Sequence, residues 1–485
     1  MKARRSAGVL LHPTSLPGPS GIGEIGPQAR QFVEWLAASG HHIWQLLPIQ
    51  PPDDHGCPYA SSSAHAGDPL LISLDDLVRD GWLKTSERPY APPTTRVDFP
   101  AVVARKAIAL ALAADRIAAD VDLDAFAAKF AWAEPYALYK ALSDAHGPDW
   151  TRWPEALRER ETEAMNVARE VHGKAIRRAL AQQWVFETQW QELRAHAEAH
   201  DVSLWGDLPY FVGLWSADVW EDPEGWRLDA DRQPVVISGV PPDAFSPTGQ
   251  MWGHPLYDDA LRAERGFPGW RARMDTALQR HDVVRLDHFR GVAAVWEIPA
   301  GDDDATNGQW VDGPGKPLLE VLSKDHPGLP LIAEDLGVIT PDVEALRDGF
   351  ALPGMAILQF GFDSDDHGYQ PHNHQRRLVV FTGTHDNDTL RGWQAHSHPT
   401  AVDRARRYLG CDDGGLPWAM CRAAWQSVAD TAIVPMQDLL GLGGDARMNV
   451  PGTQEGNWAW RMGVGAMSVA LAGRVREQLV LAGRA

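Results

Sequence analysis

The chain has 485 residues, of which 44% are hydrophobic and 23% are charged, a balance that supports a large buried core. Its 45 basic and 65 acidic residues give a formal net charge of −20, which disfavours nucleic acid and anionic membranes as partners. The first residues lack the apolar run of a signal peptide and no stretch is long enough to cross a membrane, so we expect a cytoplasmic protein.

Eight short apolar runs, each ending in polar or turn residues, are typical of buried parallel strands. In chain order they lie near residues 7–12, 42–48, 202–208, 282–287, 330–335, 354–360, 378–384 and 430–435. Helical patterns separate most of these runs, such as QARQFVEWLAASG before the second and GWRARMDTALQRH before the fourth. Strands that alternate with helices predict a parallel sheet with right-handed crossovers.

The polar residues at the ends of these runs favour an α/β fold of the (β/α)₈ TIM-barrel type over an open sheet. They are His12, Asp207, Asp287, Glu334 and His385. In a barrel the carboxyl ends of all strands meet at one mouth, where active sites form. An open sheet usually binds its ligand beside a glycine-rich turn, and no GxGxxG or Walker motif follows any of the predicted strands.

The spacing of the strands predicts insertions into a single catalytic unit over residues 1–485. A plain βα unit takes about 30 residues, whereas the second and third predicted strands are separated by residues 49–201. Most of that gap, residues 85–200, has helical periodicity and predicts a mainly helical insertion. Residues 209–258 are rich in Trp, Gly, Pro and Asp with little periodicity, so we expect an irregular active-site loop or subdomain over the barrel mouth.

Two residue types carry weaker signals. The three cysteines lack metal-site spacing, and their odd number argues against a disulfide framework, so we expect reduced and mostly buried thiols. There are 21 tryptophans against 8 tyrosines. An indole ring suits the apolar face of a sugar, although most of these rings are expected to be packing residues.

Three carboxylates end three of the predicted strands: Asp287 in RLDHFRG, Glu334 in IAEDLG and Asp386 in GTHDND. Retaining chemistry at a glycosidic bond needs two carboxyls about 5–5.5 Å apart, one to attack carbon and one to protonate the leaving oxygen, without a cofactor. Arg285 lies two residues before Asp287, so both point to the same side of a strand and the guanidinium keeps the carboxylate ionised. The apolar residues before Glu334 favour a pKa raised towards that of a working acid.

Other interpretations of these residues stay open at this point. Each carboxylate could cap a following helix, and RLDHFR could be a buried ion-pair network. His12 is more typical of a hydrogen-bonded structural histidine. The tract from Asp363 to His374 could mimic a metal site with Asp365, Asp366, His367, His372 and His374, but it is more typical of a solvated loop, and we expect no metal.

Longer motifs carry a resemblance to a known family. They include GVLLHPTSLPGPSGIGEIGP at residues 8–27, WQLLPI, PYASSSAHAGDPLLI, GDLP, SADVW, GVPPDAFSPTGQMWGHPLY, RLDHFRG, WEIPAG, AEDLGVITPDVEALR, GTHDND and RMNVPGTQEGNWAWRM. Nearly end to end, the chain resembles the 4-α-glucanotransferases called amylomaltase or disproportionating enzyme, glycoside hydrolase family 77 of the α-amylase clan. RLDHFRG, AEDLG and THDN together are highly specific.

The resemblance implies the roles of the site residues. Asp287 would be the nucleophile, Glu334 the general acid/base, and Asp386 the carboxylate that stabilises the transition state through sugar hydroxyls. The segment from Gly239 to Tyr257 would be a flexible loop that closes over the glucan. The implied substrate-binding residues are Arg285, His385, Asp207, Tyr59, His288, Asn387, Trp252 and Phe245. Trp252, Trp458 and Trp460 could equally be core residues.

Some positions depart from the family pattern, and none of them is one of the three carboxylates. Ala244 replaces an aromatic residue in the closing loop, which puts acceptor binding and the ratio of transfer to hydrolysis in doubt. His254 and Asp68 each replace an asparagine, and Cys57 precedes Pro58 where the family has serine.

The resemblance implies an enzyme that transfers part of a 1,4-α-D-glucan to the 4-hydroxyl of another glucan or of glucose, with retention and without a cofactor. The partners are then a glucan donor and a glucose or malto-oligosaccharide acceptor, with neither nucleic acid nor a membrane. Two alternatives remain: an α-glucan hydrolase of the same clan, and a non-catalytic glucan-binding protein. The intact carboxylate trio argues against the second.

Overall fold

The computed structural model describes residues 5–242, 246–365 and 367–485. The strands in these ranges, numbered β1 to β12 in chain order, form two sheets. The larger sheet contains β1 (Ser6–Leu10), β2 (Ile43–Gln45), β3 (Ser203–Leu208), β6 (Val283–Leu286), β9 (Leu331–Ala333), β10 (Gly354–Ile357), β11 (Leu378–Phe381) and β12 (Thr431–Pro435). Each of the eight overlaps one of the predicted apolar runs.

The eight strands pair in parallel in the order β10-β11-β12-β1-β2-β3-β6-β9. The two end strands of this order also meet, because Ala333 N donates to Pro353 O at 2.9 Å. Beside that bond, Asp335 Oδ1 accepts from Met355 N at 2.7 Å, so a side-chain oxygen takes the place of a main-chain acceptor between β9 and β10. The sheet is therefore closed into the predicted (β/α)₈ barrel.

Helices alternate with the barrel strands, and the long segment between β2 and β3 is helical, as the sequence predicts. In and before that segment lie α1 (Pro27–Ser39), α2 (Leu74–Arg79), α3 (Phe99–Asp120), α4 (Leu123–Lys129), α5 (Ala133–His146), α6 (Glu155–Arg158), α7 (Thr162–Val171) and α8 (Gly173–Ala199). After β3 follow α9 (Ala217–Glu221), α10 (Asp259–Glu264), α11 (Pro268–Arg280), α12 (Arg290–Ala293), α13 (Gly315–Asp325), α14 (Pro341–Gly349), α15 (Leu390–His396), α16 (Pro399–Leu409), α17 (Leu416–Gln426), α18 (Met436–Leu439) and α19 (Val469–Leu481). None of the helices in the described ranges has both the length and the apolar character that crossing a bilayer requires.

The smaller sheet was not expected from the sequence. It contains β5 (Gln250–Pro255), β4 (Val236–Val240), β7 (Ala294–Pro299) and β8 (Gln309–Asp312), paired antiparallel in that order. The prediction that residues 209–258 are irregular is therefore wrong for β4 and β5. Their pattern is weak because both strands contain glycine and β5 is largely exposed. A Cβ atom on Gly239 would lie 2.2 Å from the main-chain oxygen of Gln250, so the close pairing of β4 and β5 requires glycine there.

Arg484 ties the chain's last residues to the amino-end side of the barrel. Its guanidinium is buried and donates to five main-chain oxygens. The acceptors are Ser6, Trp425, Ser427, Ala429 and Asp430, at 2.6–3.1 Å. Arginine presents five N–H donors in a fixed planar fork, which matches this set of acceptors. The three cysteines are free, but only Cys421 is buried, and Cys57 and Cys411 are half-buried.

We expect Arg484→Ala to lower the thermal stability of the protein. The substitution leaves buried carbonyl oxygens without donors, which costs about 3–5 kcal/mol in total. For a chain of this size that corresponds to a fall in Tm of about 3–5 °C. Differential scanning calorimetry measures the shift. Arg476→Ala is the control, because Arg476 is exposed on α19 and donates only one long bond, 3.5 Å, to Ala37 O. Equal Tm values for the two variants would contradict the argument.

Candidate active site

A buried guanidinium lies between two carboxylates at the carboxyl ends of β3 and β6. The register of these strands places Arg285 directly beside Asp207. Arg285 Nη1 donates to both Asp207 oxygens, at 2.8 and 2.7 Å, and Nη2 lies 2.8 Å from Asp287 Oδ1. The Asp207 side chain is fully buried, whereas that of Asp287 is 28% exposed. Arg285 thus connects a buried carboxylate to one that faces the barrel mouth.

The opposite charges of Arg285 and its two aspartates stabilise one another. Burial alone would lower the pKa of Arg285, but Asp207 and Asp287 hold it well above its ordinary value. Burial pushes the pKa of Asp207 upward, and the guanidinium opposes that rise. A permanently charged arginine therefore fixes the orientation of Asp287 and leaves its second oxygen to the mouth.

Glu334 lies beside Asp287 on the neighbouring strand. Leu286 of β6 pairs with Ala333 of β9, so the residue after each is a carboxylate, and parallel strands lie about 4.8 Å apart. Glu334 Oε2 accepts from His288 N at 2.8 Å, and Oε1 accepts from Leu336 N at 3.1 Å. These two main-chain donors hold the carboxyl group in one orientation.

The environment of Glu334 favours its protonated form. Burial raises the pKa of Glu334 to about 8, the negative charge of Asp287 adds to the rise, and Arg285 opposes it. Glu334 is half-buried and borders the mouth through Asp287. At neutral pH Glu334 therefore carries a proton, and its neighbour Asp287 is the residue paired with Arg285.

The backbone of His288 is held in a left-handed conformation with φ of 50°, which is rare for a residue other than glycine. This conformation directs its N–H group to Glu334. The imidazole ring packs edge-on against Trp252, with ring centres 4.8 Å apart, and lies 5.8 Å from Phe211. Burial lowers the pKa of His288 to about 4, so the ring is neutral at physiological pH. The strain is localised at the site, as is common for functional positions.

Asp386 lies on the loop that follows β11. Its side chain is 42% exposed, and Oδ2 lies 3.3 Å from His385 Nε2. Asn449 Nδ2 donates to Asp386 Oδ1 at 2.6 Å, and Arg447 donates to the main-chain oxygen of Asp386. On the same loop, Asn387 Oδ1 accepts from both N and Oγ1 of Thr384 and so braces the loop.

Tyr59 joins the two sides of the mouth. Its hydroxyl donates to Asp207 Oδ2 at 2.7 Å, and its ring stacks on His385 with centres 5.2 Å apart. Trp458 packs against both rings, at 5.7 Å from each. Burial raises the pKa of Tyr59 well above its ordinary value, so the hydroxyl remains a donor. The carboxylates of β3 and β6 and the loop after β11 therefore belong to one connected site.

The aromatic residues near the mouth differ in how much of their rings is exposed to a ligand. Trp252 on β5 is 36% exposed, whereas Trp458 and Trp460 are 6% and 5% exposed. His254 stacks on Phe211, with ring centres 6.0 Å apart, and Phe211 also lies 6.1 Å from Trp252. The predicted contact residue Phe245, and the neighbouring substitution at Ala244, lie outside the described residues.

Sequence reasoning missed three residues that shape the site: Phe211, Arg447 and Asn449. Arg447 and Asn449 lie in the RMNVPGTQEGNW motif, which carried the resemblance without assigning roles to them. Their contacts with Asp386 join residues far apart in the chain, so no spacing rule could reveal them.

The other predicted candidates are His12 and the acidic and histidine residues of the tract from Asp363 to His374. His12 is buried, burial lowers its pKa to about 3, and its Nδ1 has no hydrogen-bond partner among the described residues, contrary to the expected bonded histidine. In the tract after β10, Asp365 pairs with Arg404 at 2.7 Å. Two histidines of that tract bind neighbouring side chains: His372 to Tyr408 at 2.8 Å and His374 to Ser427 at 2.7 Å. Asp366 lies outside the described residues.

Comparison with known proteins identifies the family. A family profile described as 4-α-glucanotransferase, glycoside hydrolase family 77, matches residues 11–466. The chain belongs to this family. A 4-α-glucanotransferase from Thermus thermophilus is 43% identical over 98% of both chains. A chloroplastic/amyloplastic 4-α-glucanotransferase from Solanum tuberosum is 42% identical over 95% of this chain and 82% of that one.

A solved structure agrees with the family assignment. The amylomaltase from Streptococcus agalactiae in complex with acarbose superposes with a TM-score of 0.96 and 32% sequence identity. The match covers 99% of this chain and 100% of that one. The 4-α-glucanotransferase family and its barrel fold are therefore established over nearly the whole length of this protein.

We expect Asn449→Ala to reduce glucan transfer about 10- to 100-fold through kcat, because Asp386 loses the amide that orients it and small misplacements carry that cost. Steady-state kinetics with maltotriose measures the change. Asn449→Asp is a second variant that tests the same contact. It places a second carboxylate 2.6 Å from Asp386, and repulsion between the two negative charges should raise the pKa of the pair. Its activity should therefore fall more steeply than that of Asn449→Ala as the pH is lowered. Unchanged kcat in both variants would contradict a positioning role.

Proposed function

We propose that this protein is a retaining 4-α-glucanotransferase that transfers a segment of a 1,4-α-D-glucan to the 4-hydroxyl of another glucan or of glucose. The observation that carries the proposal is the difference between two neighbouring carboxyls. Asp287 is paired with Arg285 at 2.8 Å, whereas burial raises the pKa of Glu334 to about 8. Retaining chemistry requires one ionised nucleophile and one protonated acid on adjacent positions.

In the first half of the reaction Glu334 donates its proton to the glycosidic oxygen. An oxygen of Asp287 attacks the anomeric carbon while the bond to the leaving oxygen breaks. The fragment on the acceptor side leaves with the proton as a free 4-hydroxyl. The donor segment remains bound to Asp287 as a β-linked glucosyl ester, and Glu334 is now a carboxylate.

In the second half the chemistry is reversed with a new acceptor. Glu334 takes the proton of an incoming 4-hydroxyl, whose oxygen attacks the anomeric carbon as the ester bond to Asp287 breaks. The product has the α-configuration of the donor, and Glu334 is protonated again. Two inversions thus give retention, and the number of glycosidic bonds is unchanged.

The surrounding residues support this cycle by holding the sugar and the two carboxyls. We assign Asp386 to the sugar hydroxyls, where it is oriented by Asn449 and accompanied by His385. Arg285 orients Asp287, and Asp207 with Tyr59 keeps Arg285 in place. His288 contributes its main-chain N–H to Glu334.

Transfer must compete with hydrolysis by water at high concentration. An acceptor held in place beside the ester has an effective concentration that outweighs water. Trp252 is a partly exposed ring next to His288, and it lies in the segment from Gly239 to Tyr257. We propose that this segment, with Phe245, covers the bound glucan and forms acceptor subsites. We also propose malto-oligosaccharide donors, glucose or malto-oligosaccharide acceptors and a cytoplasmic location.

Incubation with maltotriose tests the reaction class. We expect glucose and a ladder of longer oligosaccharides, resolved by chain length, with a constant total of reducing ends. Rising reducing ends with only shorter products would mean that water is the acceptor and would support the hydrolase alternative. Absence of change with maltotriose and with longer glucans would contradict the enzymatic proposal and favour a glucan-binding protein.

Substitution of the two carboxyls separates their roles. We expect Asp287→Asn and Glu334→Gln each to lower kcat at least about 1,000-fold with maltotriose, because each removes a group that acts in both halves of the reaction. With maltosyl fluoride the leaving group needs no proton, so Glu334→Gln should still release fluoride in a first turnover while Asp287→Asn should not. Asp303→Asn is the control, since this aspartate is exposed on the surface. Equal fluoride release by the two site variants would contradict the assignment.

The pH profile follows from the raised pKa of Glu334. The acid form is present below about pH 8 and is lost above it, so kcat/KM with maltotriose should fall as pH rises through about 8. The alkaline fall should weaken when fluoride release from maltosyl fluoride is measured in a single turnover, because that step does not need the acid. A profile with the same alkaline limb for both substrates would assign the limb to another group.

A further inference from the structure

Two helices on the outside of the barrel bring three potential metal ligands together. Glu34 lies on α1, and His196 and His200 lie at the end of α8 and just after it. One donor atom from each of the three side chains lies within 4.8 Å of the others. Glu34 Oε1 is 3.4 Å from His196 Nε2, and the two imidazole ring centres are 4.3 Å apart. The catalytic proposal uses none of these residues.

The two histidines are four residues apart, which places them on the same face of a helix. The Nδ1 atom of His200 lies 2.8 Å from the main-chain oxygen of His196. A carbonyl oxygen can only accept, so this bond keeps the proton on Nδ1 and leaves Nε2 with a free lone pair. In a metal-bound histidine, the ring nitrogen that does not bind the metal commonly donates a hydrogen bond of this kind, which fixes the tautomer.

His196 is also prepared to act as a ligand. Its Nε2 atom is shielded from solvent and makes no hydrogen bond in the described structure. The guanidinium of Arg30, one turn before Glu34, donates to both oxygens of Asp76 at 2.9 and 2.8 Å.

We propose that Glu34, His196 and His200 form a binding site for a divalent transition-metal ion, with Zn²⁺ as the best match. Two imidazole nitrogens and one carboxylate suit Zn²⁺ better than Mg²⁺ or Ca²⁺, which prefer oxygen ligands. Ligands of tetrahedral zinc lie about 3.3 Å apart, since each bond is about 2.0–2.2 Å long. The separation of 3.4 Å between Glu34 and His196 already meets this requirement. The Glu34 side chain is 56% exposed, so its carboxylate is free to adjust around an ion, and water completes the tetrahedron.

The position of the site indicates a structural role. α1 connects β1 to β2, and α8 leads into β3. His200 comes just before Ser203, at the amino end of β3, whereas Asp207 lies near the carboxyl end of the same strand. A bound ion would join the helices on either side of β2 at the end of the barrel away from the catalytic carboxyls. It would therefore stabilise the fold without acting on the glucan, and this inference is independent of the proposed function.

Metal titration of the full-length protein tests the site. After dialysis against a chelator, Zn²⁺ is titrated in competition with a chromophoric indicator, and Co²⁺ is titrated to record its visible absorption. We expect one ion per chain and the absorption of a tetrahedral cobalt site. Glu34→Gln, His196→Gln and His200→Gln should each weaken binding at least about 10-fold. His146→Gln, at an exposed histidine on α5, should leave it unchanged.

Stability and activity provide the second readout. At about 100 times the dissociation constant, Zn²⁺ should raise the Tm of the unmodified protein by about 2–3 °C. The same addition should leave the Tm of Glu34→Gln unchanged, and that exposed substitution is not expected to impair folding. Glucan transfer below the transition should be the same with and without zinc. Absence of zinc binding, or equal binding by the protein and its His196→Gln and His200→Gln variants, would overturn the proposal.

Discussion

The burial of the Arg285 guanidinium is the constraint on which the site depends. A charge inside a protein is costly unless it is paired and hydrogen-bonded, and here Asp207 and Asp287 supply the pairing. These contacts need β3 directly beside β6, in the observed register. The closed barrel places the two strands side by side, and it directs the partly exposed carboxylate of Asp287 towards the mouth. Loss of Asp207 would remove the fully buried carboxylate that binds the guanidinium through both of its oxygens, so the fold and the site are coupled here.

Two adjacent carboxyls acquire different chemistry from their surroundings. Asp287 faces a permanent cation, whereas Glu334 is held by two main-chain amides in a setting where burial raises its pKa. The left-handed backbone of His288 supplies one of those amides and is the local strain that this arrangement requires. Tyr59 then connects this half of the mouth to the loop of His385, so that the site spans the barrel instead of one edge of it.

The barrel was predictable because its strands are buried on both faces and read as continuous apolar runs. All eight runs correspond to strands of the parallel sheet. The antiparallel sheet was not predictable in the same way. Its strand β5 is largely exposed, and β4 pairs with β7, which comes from a distant part of the chain. Local periodicity contains no information about a partner so far away, and Gly239 weakens the pattern further.

The sequence by itself determined the types and spacing of the residues proposed to be catalytic. The interval from Arg285 to Asp287 places both on one side of a strand, and the long motifs around them identify the family. Only the tertiary structure decided which groups meet across the chain: Asn449 with Asp386, Tyr59 with both Asp207 and His385, and Glu34 with the histidines of α8. These contacts depend on strand order, barrel closure and helix packing. Such long-range geometry leaves no regular signal in the spacing of residues along one chain.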